Sequence, residues 1–459
     1  MSNSKKTGFS YRSLLIVILL SFIIIPVSVV LFFRLETEPP QIQITPILDT
    51  IGAATDFTIT VKDQNSGIKR VWVAILKDQK EAVLFDETLS PALFFKGSGI
   101  HEKEVLITIQ PHQLGFSDGI AILRVAVWDS AIKGFFKGNQ TYTEQKINID
   151  THPPSIEVLS RSHNMNQGGA GLIIYRVSEP VFESGVLVGD RFFPGYPGHF
   201  SDQSIYMAFF AIPYDQDENT DLLLAAEDYG KNRSKVGFYH HINKIKFKSD
   251  TIQLSESFLR WKMPEFKTEG LKEDMPLKKK FLYINQTVRR KDFDTLVKAC
   301  ANSTPKILWE GRFLRFPRSA QRAGFADLRT YVYKGKIIDK QTHLGIDLAS
   351  TAYAPIPAAN HGEIVFADDV GIYGKTVIID HGFGLFSTYS HLSRFTVVPE
   401  QKVNKGEIIG YTGTTGMAGG DHLHFGILIH NTFVNPIEWL DAIWIKHNIT
   451  DKFSMIKDR

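Results

Sequence analysis

The sequence contains very little cysteine: Cys300 is the single one among 459 residues. An intramolecular disulfide is therefore excluded, and so is a zinc site built from several cysteines. Stability must come from buried apolar surface. We expect Cys300 to lie in a core as a small hydrophobic side chain.

An excess of charge of either sign is also missing. The 52 lysine and arginine residues nearly balance 49 aspartate and glutamate residues, which leaves a formal net charge of +3. Dedicated nucleic-acid-binding proteins are usually far more basic, so we predict no nucleic-acid partner. A chain of this length is too long for a single core, and several domains are expected.

Long apolar runs are absent except for one, at residues 14–33. About 20 apolar residues are enough to cross a bilayer as a helix. Lys5, Lys6 and Arg12 precede the run, and a basic flank normally stays in the cytoplasm. We therefore predict a single-pass membrane anchor with the N-terminus inside and the rest of the chain outside. A cleaved signal peptide is the alternative, but the residues after the run make a poor cleavage site.

Two segments between this run and residue 245 share their beginnings and ends. Each begins with a proline pair followed by alternating polar and apolar residues, at 39–44 and 153–158, and each ends near an Asp, at 125–129 and 224–230. Alternation of this kind predicts short strands. We interpret the segments as two diverged copies of one β-sandwich unit, similar to bacterial immunoglobulin-like repeats.

A turn in the first copy has part of a calcium-loop pattern. Asp63, Asn65 and Gly67 are spaced as in such a loop, but no glutamate stands at the required distance after them. We interpret this segment as a plain turn. The two copies are expected to act either as spacers or as binding modules for a ligand or a partner.

Residues 246–310 change in character. Helix-compatible apolar spacing occurs at 255–261 and 291–301, and basic clusters occur at 278–280 and 289–291. These features predict a short helical connector. The basic residues of the connector are expected to lie on a solvated helix face. Alternatively, they form a surface that docks on an anionic glycan or on the C-terminal domain.

The last quarter of the chain carries three clusters of metal-binding residue types. His343 and Asp347 are separated by a central glycine, His422 and His424 are two residues apart, and His391 follows an apolar segment. On an extended backbone, side chains two residues apart share one face. Three nitrogen or oxygen ligands with an open fourth position are what a catalytic zinc ion requires. Further histidines nearby can transfer protons.

Residues about 325–445 closely resemble the lysostaphin-like (LytM-type) zinc endopeptidases of bacterial cell walls. The resemblance rests on the His343–Asp347 and Asp421–Gly426 motifs, on His391 within Tyr389–Leu392, and on the stretches 354–365, 374–382 and 403–410. It implies a compact antiparallel β domain that binds one zinc ion through His343, Asp347 and His424. It also implies that His391 and His422 stay off the metal as catalytic residues, with the two roles left open between them.

The resemblance further implies the peptide stems of peptidoglycan as substrate, and it makes other cell-wall enzymes candidate partners of the two β modules. The anchor, which no wall-binding repeats accompany, favours a Gram-negative periplasm and the inner membrane as the setting. The alternatives are a non-catalytic LytM-type regulator that activates cell-wall amidases, and an envelope adhesin or scaffold. Arg329 is expected to shape the groove, and Tyr331 and Tyr333 are candidates for an oxyanion helper.

The chain as a whole is thus predicted to be mainly β, with a transmembrane helix, two immunoglobulin-like modules, a helical connector and a zinc peptidase domain. The predicted limits are 1–13 for a cytoplasmic tail, 14–33 for the anchor, 39–150 and 153–245 for the modules, 246–310 for the connector, 311–445 for the peptidase domain and 446–459 for a C-terminal tail.

Overall fold

The computed structural model describes residues 11–34, 36–90, 99–133 and 137–457. Within these residues the chain is mainly β, as predicted. Its first element is helix α1, Tyr11–Arg34, in which Tyr11–Val29 has a mean hydropathy of 2.5. By length and composition α1 can cross a membrane, and it is equally compatible with a signal sequence.

The described residues divide into two compact units. The first consists of Met1–Pro153 with Asp228–Asn232, and the second of Pro154–Glu227 with Arg233–Arg459. Each unit has its own hydrophobic core.

The first unit contains a β module made of two sheets. One sheet has the strand order β1-β3-β6 and the other has the order β2-β8-β7-β4-β5. The strands are β1 (Gln41–Thr45), β2 (Thr50–Ile51), β3 (Thr55–Lys62), β4 (Ile68–Lys77), β5 (Lys80–Thr88), β6 (Glu102–Ile109), β7 (Gly119–Asp129) and β8 (Gln140–Ile149).

Alternation along β3 shows why this segment forms a strand with one buried face. Phe57, Ile59 and Val61 are buried, whereas Thr58 and Thr60 between them are partly exposed. Side chains on a strand alternate between its two faces, so one face of β3 joins the core. Core residues come from both sheets. The immunoglobulin-like assignment of this module and of the next one stays a prediction.

The second module opens the second unit. Its sheets have the orders β14-β11-β9 and β13-β12-β15-β16, and β10 pairs with β17 in parallel. The strands are β9 (Ile156–Val158), β10 (His163–Asn166), β11 (Ala170–Val177), β12 (Val181–Val188), β13 (Arg191–Pro194), β14 (Ile205–Ala211), β15 (Leu222–Asp228), β16 (Arg233–Gly237) and β17 (His240–Asn243).

The connector begins with a strand and continues with three helices. These elements are β18 (Ser249–Leu254), α2 (Glu256–Lys262), α3 (Leu277–Tyr283) and α4 (Arg289–Ala299), with a π-helical turn at Ile284–Val288 before α4. The Ser255 side chain caps α2 by accepting a hydrogen bond from the Phe258 N–H. Helices α2 and α4 correspond to the two predicted segments, whereas α3 was not predicted. Cys300 is buried at the end of α4, as expected.

The C-terminal part is built on a large antiparallel sheet. The strand order is β19-β22-β29-β26-β25-β24-β27, with β23, β28 and β30 attached beside it. The strands are β19 (Ala320–Ala323), β20 (Leu328–Tyr333), β21 (Lys336–Thr342), β22 (Ile346–Ala349), β23 (Pro355–Pro357), β24 (Gly362–Val370), β25 (Gly374–Gly382), β26 (Leu385–Phe395), β27 (Lys402–Val403), β28 (Ile408–Thr412), β29 (Leu423–Ile429) and β30 (Thr432–Val434). Strand β20 pairs with β21 and also, in parallel, with β18 of the connector.

Three short helices complete the chain and join its C-terminal part to the second module. They are α5 (Pro436–Leu440), α6 (Ala442–Ile445) and α7 (Asp451–Lys457). The Glu438 carboxylate of α5 accepts hydrogen bonds from the Ala170 N–H and the Asn166 side chain. The Lys452 ammonium group of α7 donates to the Leu172 carbonyl. The second module, the connector and the C-terminal part therefore share one core.

Candidate active site

Strand register brings the first two clusters together. Strands β22 and β29 are antiparallel neighbours, and Asp347 lies directly opposite His424. His343 precedes β22 and is held by backbone hydrogen bonds to Ala326 and Asp327. Paired residues on adjacent strands have closely spaced side chains. The sheet thus places residues that are far apart in sequence on one small surface.

Three donor atoms converge at this point. His343 Nε2 lies 3.0 Å from Asp347 Oδ1 and 2.9 Å from His424 Nδ1, and His424 Nδ1 lies 3.0 Å from Asp347 Oδ1. Zinc bonds of roughly 2.0–2.1 Å in a tetrahedron place ligand atoms about 3.3 Å apart. The three side chains are buried. This group fits a metal ion held by two histidines and one carboxylate.

The surroundings of the three side chains fix their orientation. The Nδ1–H group of His343 donates to the Gly324 carbonyl at 2.7 Å, which directs Nε2 toward Asp347. Arg329 donates from Nη2 to Asp347 Oδ2 at 2.7 Å, so the outer carboxylate oxygen is occupied and Oδ1 faces the histidines. Hydrogen bonds of this kind orient metal ligands.

The electrostatic environment keeps Asp347 ionised. Burial alone would raise the pKa of Asp347, but the charge of His343 and the hydrogen bonds from His343, His422 and His424 outweigh it and hold the pKa well below its ordinary value. An ionised carboxylate is the form that binds a metal ion.

His391 lies beside this group on an irregular part of β26. Its φ angle is +66°, and the pairing register shifts on both neighbouring strands close to this residue. Bulges and left-handed backbone at non-glycine residues are concentrated at functional sites. The His391 Nδ1–H group donates to the Thr415 carbonyl at 2.9 Å, so this hydrogen bond does not use Nε2. Burial lowers the pKa of His391, and the nearby His422 and His424 lower it further, well below its ordinary value.

His422 stands just before β29 and faces His391. The two rings are 4.8 Å apart, and His422 Nε2 lies 3.5 Å from Asp347 Oδ1. Its Nδ1–H group donates to the Gly420 carbonyl at 2.9 Å. Burial alone would lower the pKa of His422, but the hydrogen bond and charge of Asp347 and the Gly420 carbonyl raise it overall. The structure therefore brings all five predicted side chains together.

Comparison with known families agrees with this geometry. Residues 341–436 match the sequence pattern of Peptidase family M23. The chain carries an M23 peptidase domain at its C-terminus. The matched segment contains all five clustered side chains.

Named relatives align with the same part of the chain. DD-carboxypeptidase/endopeptidase Mpg of Neisseria meningitidis serogroup B is 41% identical over 95 residues, which are 21% of this chain and 22% of that protein. Peptidoglycan DD-endopeptidase ShyA of Vibrio cholerae is 33% identical over 96 residues, again 21% and 22% of the two chains. The alignments thus span about a fifth of the length of these curated relatives.

Among solved structures, the catalytic domain of lysostaphin from Staphylococcus simulans is 26% identical. The alignment covers 27% of this chain and 92% of that domain, with a TM-score of 0.23.

Three further residues make contacts that the sequence did not predict. Arg329 contacts Asp347 directly, and its expected role in shaping the groove stays a prediction. Tyr331 is buried against Phe281 of α3, with 5.3 Å between the ring centroids. The oxyanion-helper role expected of Tyr331 or Tyr333 stays a prediction. Tyr373, which the sequence did not single out, has its ring 5.9 Å from that of His424. It stands between two glycines with positive φ, Gly371 and Gly374.

A cavity of about 620 Å³ borders the donor group on the side of His343 and His424. The connector contributes Arg289, Arg290 and Phe293 to its wall. The M23 domain contributes Tyr373, Lys340 and neighbouring residues. The cavity thus joins the donor group to a basic wall.

Proposed function

We propose that this chain is a membrane-anchored, zinc-dependent endopeptidase that hydrolyses the peptide cross-links of peptidoglycan. The observation that carries this proposal is the convergence of His343, Asp347 and His424 beside His391 and His422. Relatives of the M23 domain are named peptidoglycan DD-endopeptidase and DD-carboxypeptidase/endopeptidase, which supports this substrate.

His343, Asp347 and His424 would hold the zinc ion. A bound zinc ion polarises the scissile carbonyl and lowers the pKa of a water molecule to about 7. The Arg329 contact keeps the Asp347 carboxylate charged and aligned for this purpose. The donor set contains no sulfur, and nitrogen and oxygen donors of this kind suit a catalytic zinc site.

His391 and His422 would transfer protons. Both donate from Nδ1 to backbone carbonyls, so in each neutral ring the Nε2 atom carries the free lone pair. One Nε2 accepts the proton of the attacking water as the oxygen bonds to the carbonyl carbon. The proton then passes to the leaving amine as the C–N bond breaks. A protonated neighbour stabilises the negative oxygen of the tetrahedral state.

The rest of the chain is proposed to place this chemistry at the membrane surface. Helix α1 would serve as the anchor, with the N-terminus inside and the M23 domain outside in the periplasm. The basic wall contributed by Arg289, Arg290 and Lys340 suits a substrate that carries carboxylates. The expected bond is that between D-alanine and diaminopimelate in a directly cross-linked wall.

The test is digestion of purified sacculi by the full chain in detergent, with products identified by mass spectrometry. Cross-linked dimers should disappear and monomers accumulate. His391→Ala should slow this reaction by at least about 100-fold, because it removes a proton-transfer group.

His361→Ala serves as the matched control. His361 is half-buried, its Nδ1 accepts the Lys405 N–H, and it lies outside the donor group, so the rate should be unchanged. Full activity of His391→Ala would contradict the mechanism. A zinc-loaded chain that cleaves nothing but activates an amidase would favour the regulator hypothesis.

A further inference from the structure

A second cluster of acidic side chains lies in the first unit, far along the sequence from the M23 domain. Carboxylate oxygens of Glu36, Asp63 and Asp129 lie within 4.8 Å of one another. Asp63 and Asp129 are buried and Glu36 is half-buried. The residues come from the segment after α1, the turn after β3 and the end of β7.

Hydrogen bonds direct the three carboxylates toward one another. Asp63 Oδ1 accepts the Gly67 N–H at 2.5 Å, and Glu36 Oε1 accepts the Ser66 N–H at 2.8 Å. Asp129 Oδ1 accepts the Asn139 N–H at 2.6 Å. These bonds connect the segment after α1 to two turns of the module.

Within residues 36–90, 99–133 and 137–457, none of the three carboxylates forms an ion pair with a lysine or arginine. Buried like charges that lack a partner are strongly unfavourable. A positive ligand would remove this cost.

Two buried oxygen atoms in the same place lack hydrogen-bond partners among the described residues. They are Ser66 Oγ and Asn139 Oδ1. Ser66 and Asn139 are 3% and 4% exposed. The amide of Asn139 is inserted in the cluster, since its Nδ2 donates to Asp129 Oδ2 at 2.7 Å and to the Glu36 carbonyl at 3.3 Å. The Ser66 backbone is bonded to Glu36. Buried oxygens without a partner destabilise the fold, and a cation would satisfy both of them.

We infer that Glu36, Asp63 and Asp129, with the adjacent oxygens of Ser66 and Asn139, form a calcium-binding site. All the available donors are oxygen atoms, which hard divalent cations prefer. Calcium takes about six to eight oxygens at about 2.3–2.6 Å, so ligands on opposite sides lie roughly 4.8 Å apart. A cavity of about 250 Å³ lined by Glu36, Asp63 and Asn65 provides room for water ligands.

Under this proposal the 63–67 segment does more than the plain turn that its sequence predicts. The acidic partner that sequence spacing failed to find after the turn is Glu36, which stands before it. Calcium would therefore clamp the segment that follows α1 onto the module.

The inference is tested by titrating the full chain with calcium in detergent and measuring the heat of binding by calorimetry. The chain is first stripped of metal and reloaded with zinc, so that the M23 domain does not contribute. We expect one calcium ion per chain, with a dissociation constant of about 0.1–1 mM as in extracellular modules. Glu36→Gln and Asp63→Asn should each weaken binding by at least about tenfold, because each removes a ligand charge.

Glu38→Gln is the matched control, since Glu38 is exposed and contributes only its backbone carbonyl to Asn139. It should bind calcium as the wild type does. Glu36→Gln keeps an oxygen that can accept the Ser66 N–H, so it preserves the fold even if Asp63→Asn does not. Absence of calcium binding up to about 10 mM, or wild-type affinity in Glu36→Gln, would overturn the inference.

Discussion

At the scale of single residues, the approach of His343, Asp347 and His424 requires a glycine at position 345. A Cβ atom at Gly345 would lie 2.6 Å from His424 Nε2 and 2.8 Å from the Phe425 carbonyl oxygen. Both contacts are too short, and neither neighbour can move without disturbing His424 or β29. Glycine at this position therefore lets His343 and Asp347 approach His424.

We predict that Gly345→Ala abolishes tight zinc binding while the chain remains folded. The added methyl group displaces the His424 ring, and misplacing one of three ligands should weaken metal affinity by roughly 100-fold or more. Competition with a chromophoric chelator measures the affinity. Gly419→Ala is the control, because a Cβ there meets nothing within 4 Å. Equal affinity of the two variants would refute the prediction.

The sequence identified the five side chains because each cluster has a local pattern. Spacing of two residues on extended backbone places His422 and His424 together without knowledge of the fold. The contacts of Arg329 with Asp347 and of Tyr373 with His424 have no such pattern. They depend on how distant strands pair, which local spacing does not encode. The catalytic roles of His391 and His422 stay predictions.

At the scale of elements, the connector is anchored to the loops around the donor group. Lys262 of α2 is fully buried, and its Nζ donates to Glu265 Oε2 at 2.8 Å and to the Thr414 carbonyl. The neighbouring Thr415 carbonyl accepts the hydrogen bond of His391. Helix α2 thus supports the loop that orients His391.

We predict that Lys262→Met loosens this loop. Methionine fills similar space but leaves the Thr414 carbonyl and Glu265 without their donor, a loss of about 1–2 kcal/mol. Amide hydrogen exchange in residues 413–420 should accelerate by about tenfold. Lys267→Met, which changes an exposed lysine, should leave exchange at the wild-type rate. Unaltered exchange in Lys262→Met would show that α2 does not support the loop.

Helix prediction in the connector succeeded where apolar spacing was regular. Helix α4 repeats apolar residues at Phe293 and Leu296 and ends at Ala299, directly before Cys300. Helix α3 has only seven residues, three of them consecutive lysines, so its apolar periodicity is too short to detect. It forms because Phe281 packs against Tyr331 of the M23 domain, a tertiary contact.

At the scale of the whole molecule, two buried ionisable groups of the C-terminal helices form hydrogen bonds with the second module. Burial raises the pKa of Glu438 to about 7, although hydrogen bonds from Ala170 and Asn166 oppose the shift. Burial likewise lowers the pKa of Lys452 to about 7. Both side chains bind the second module from the C-terminal helices. Sequence patterns described each region separately, and the limits of the domains stay predictions.

The Glu438 carboxyl should make the second unit less stable as pH rises. Its folded pKa lies above its unfolded value, so the stabilisation is present below pH 4.5 and is lost as pH rises through about 7. The loss should reach about 3 kcal/mol by pH 8. Calorimetry of metal-free protein between pH 4.5 and 8 should show that the wild type loses this amount of stability relative to Glu438→Gln, because the other titrating groups are the same in both proteins.

Glu400→Gln controls for the loss of one negative charge, since Glu400 is exposed and should keep the wild-type pH dependence. Parallel curves for the wild type and Glu438→Gln would rule out a contribution of this carboxyl.

The Lys452 contact also has a consequence for the order of biosynthesis. Residues of the second module leave the ribosome some 280 positions before the lysine that donates to Leu172. Until α7 is made, the Leu172 carbonyl lacks its partner and the shared core remains open on that side. The second module therefore cannot complete this part of its packing until Lys452 has been made, after the whole M23 segment has been synthesised.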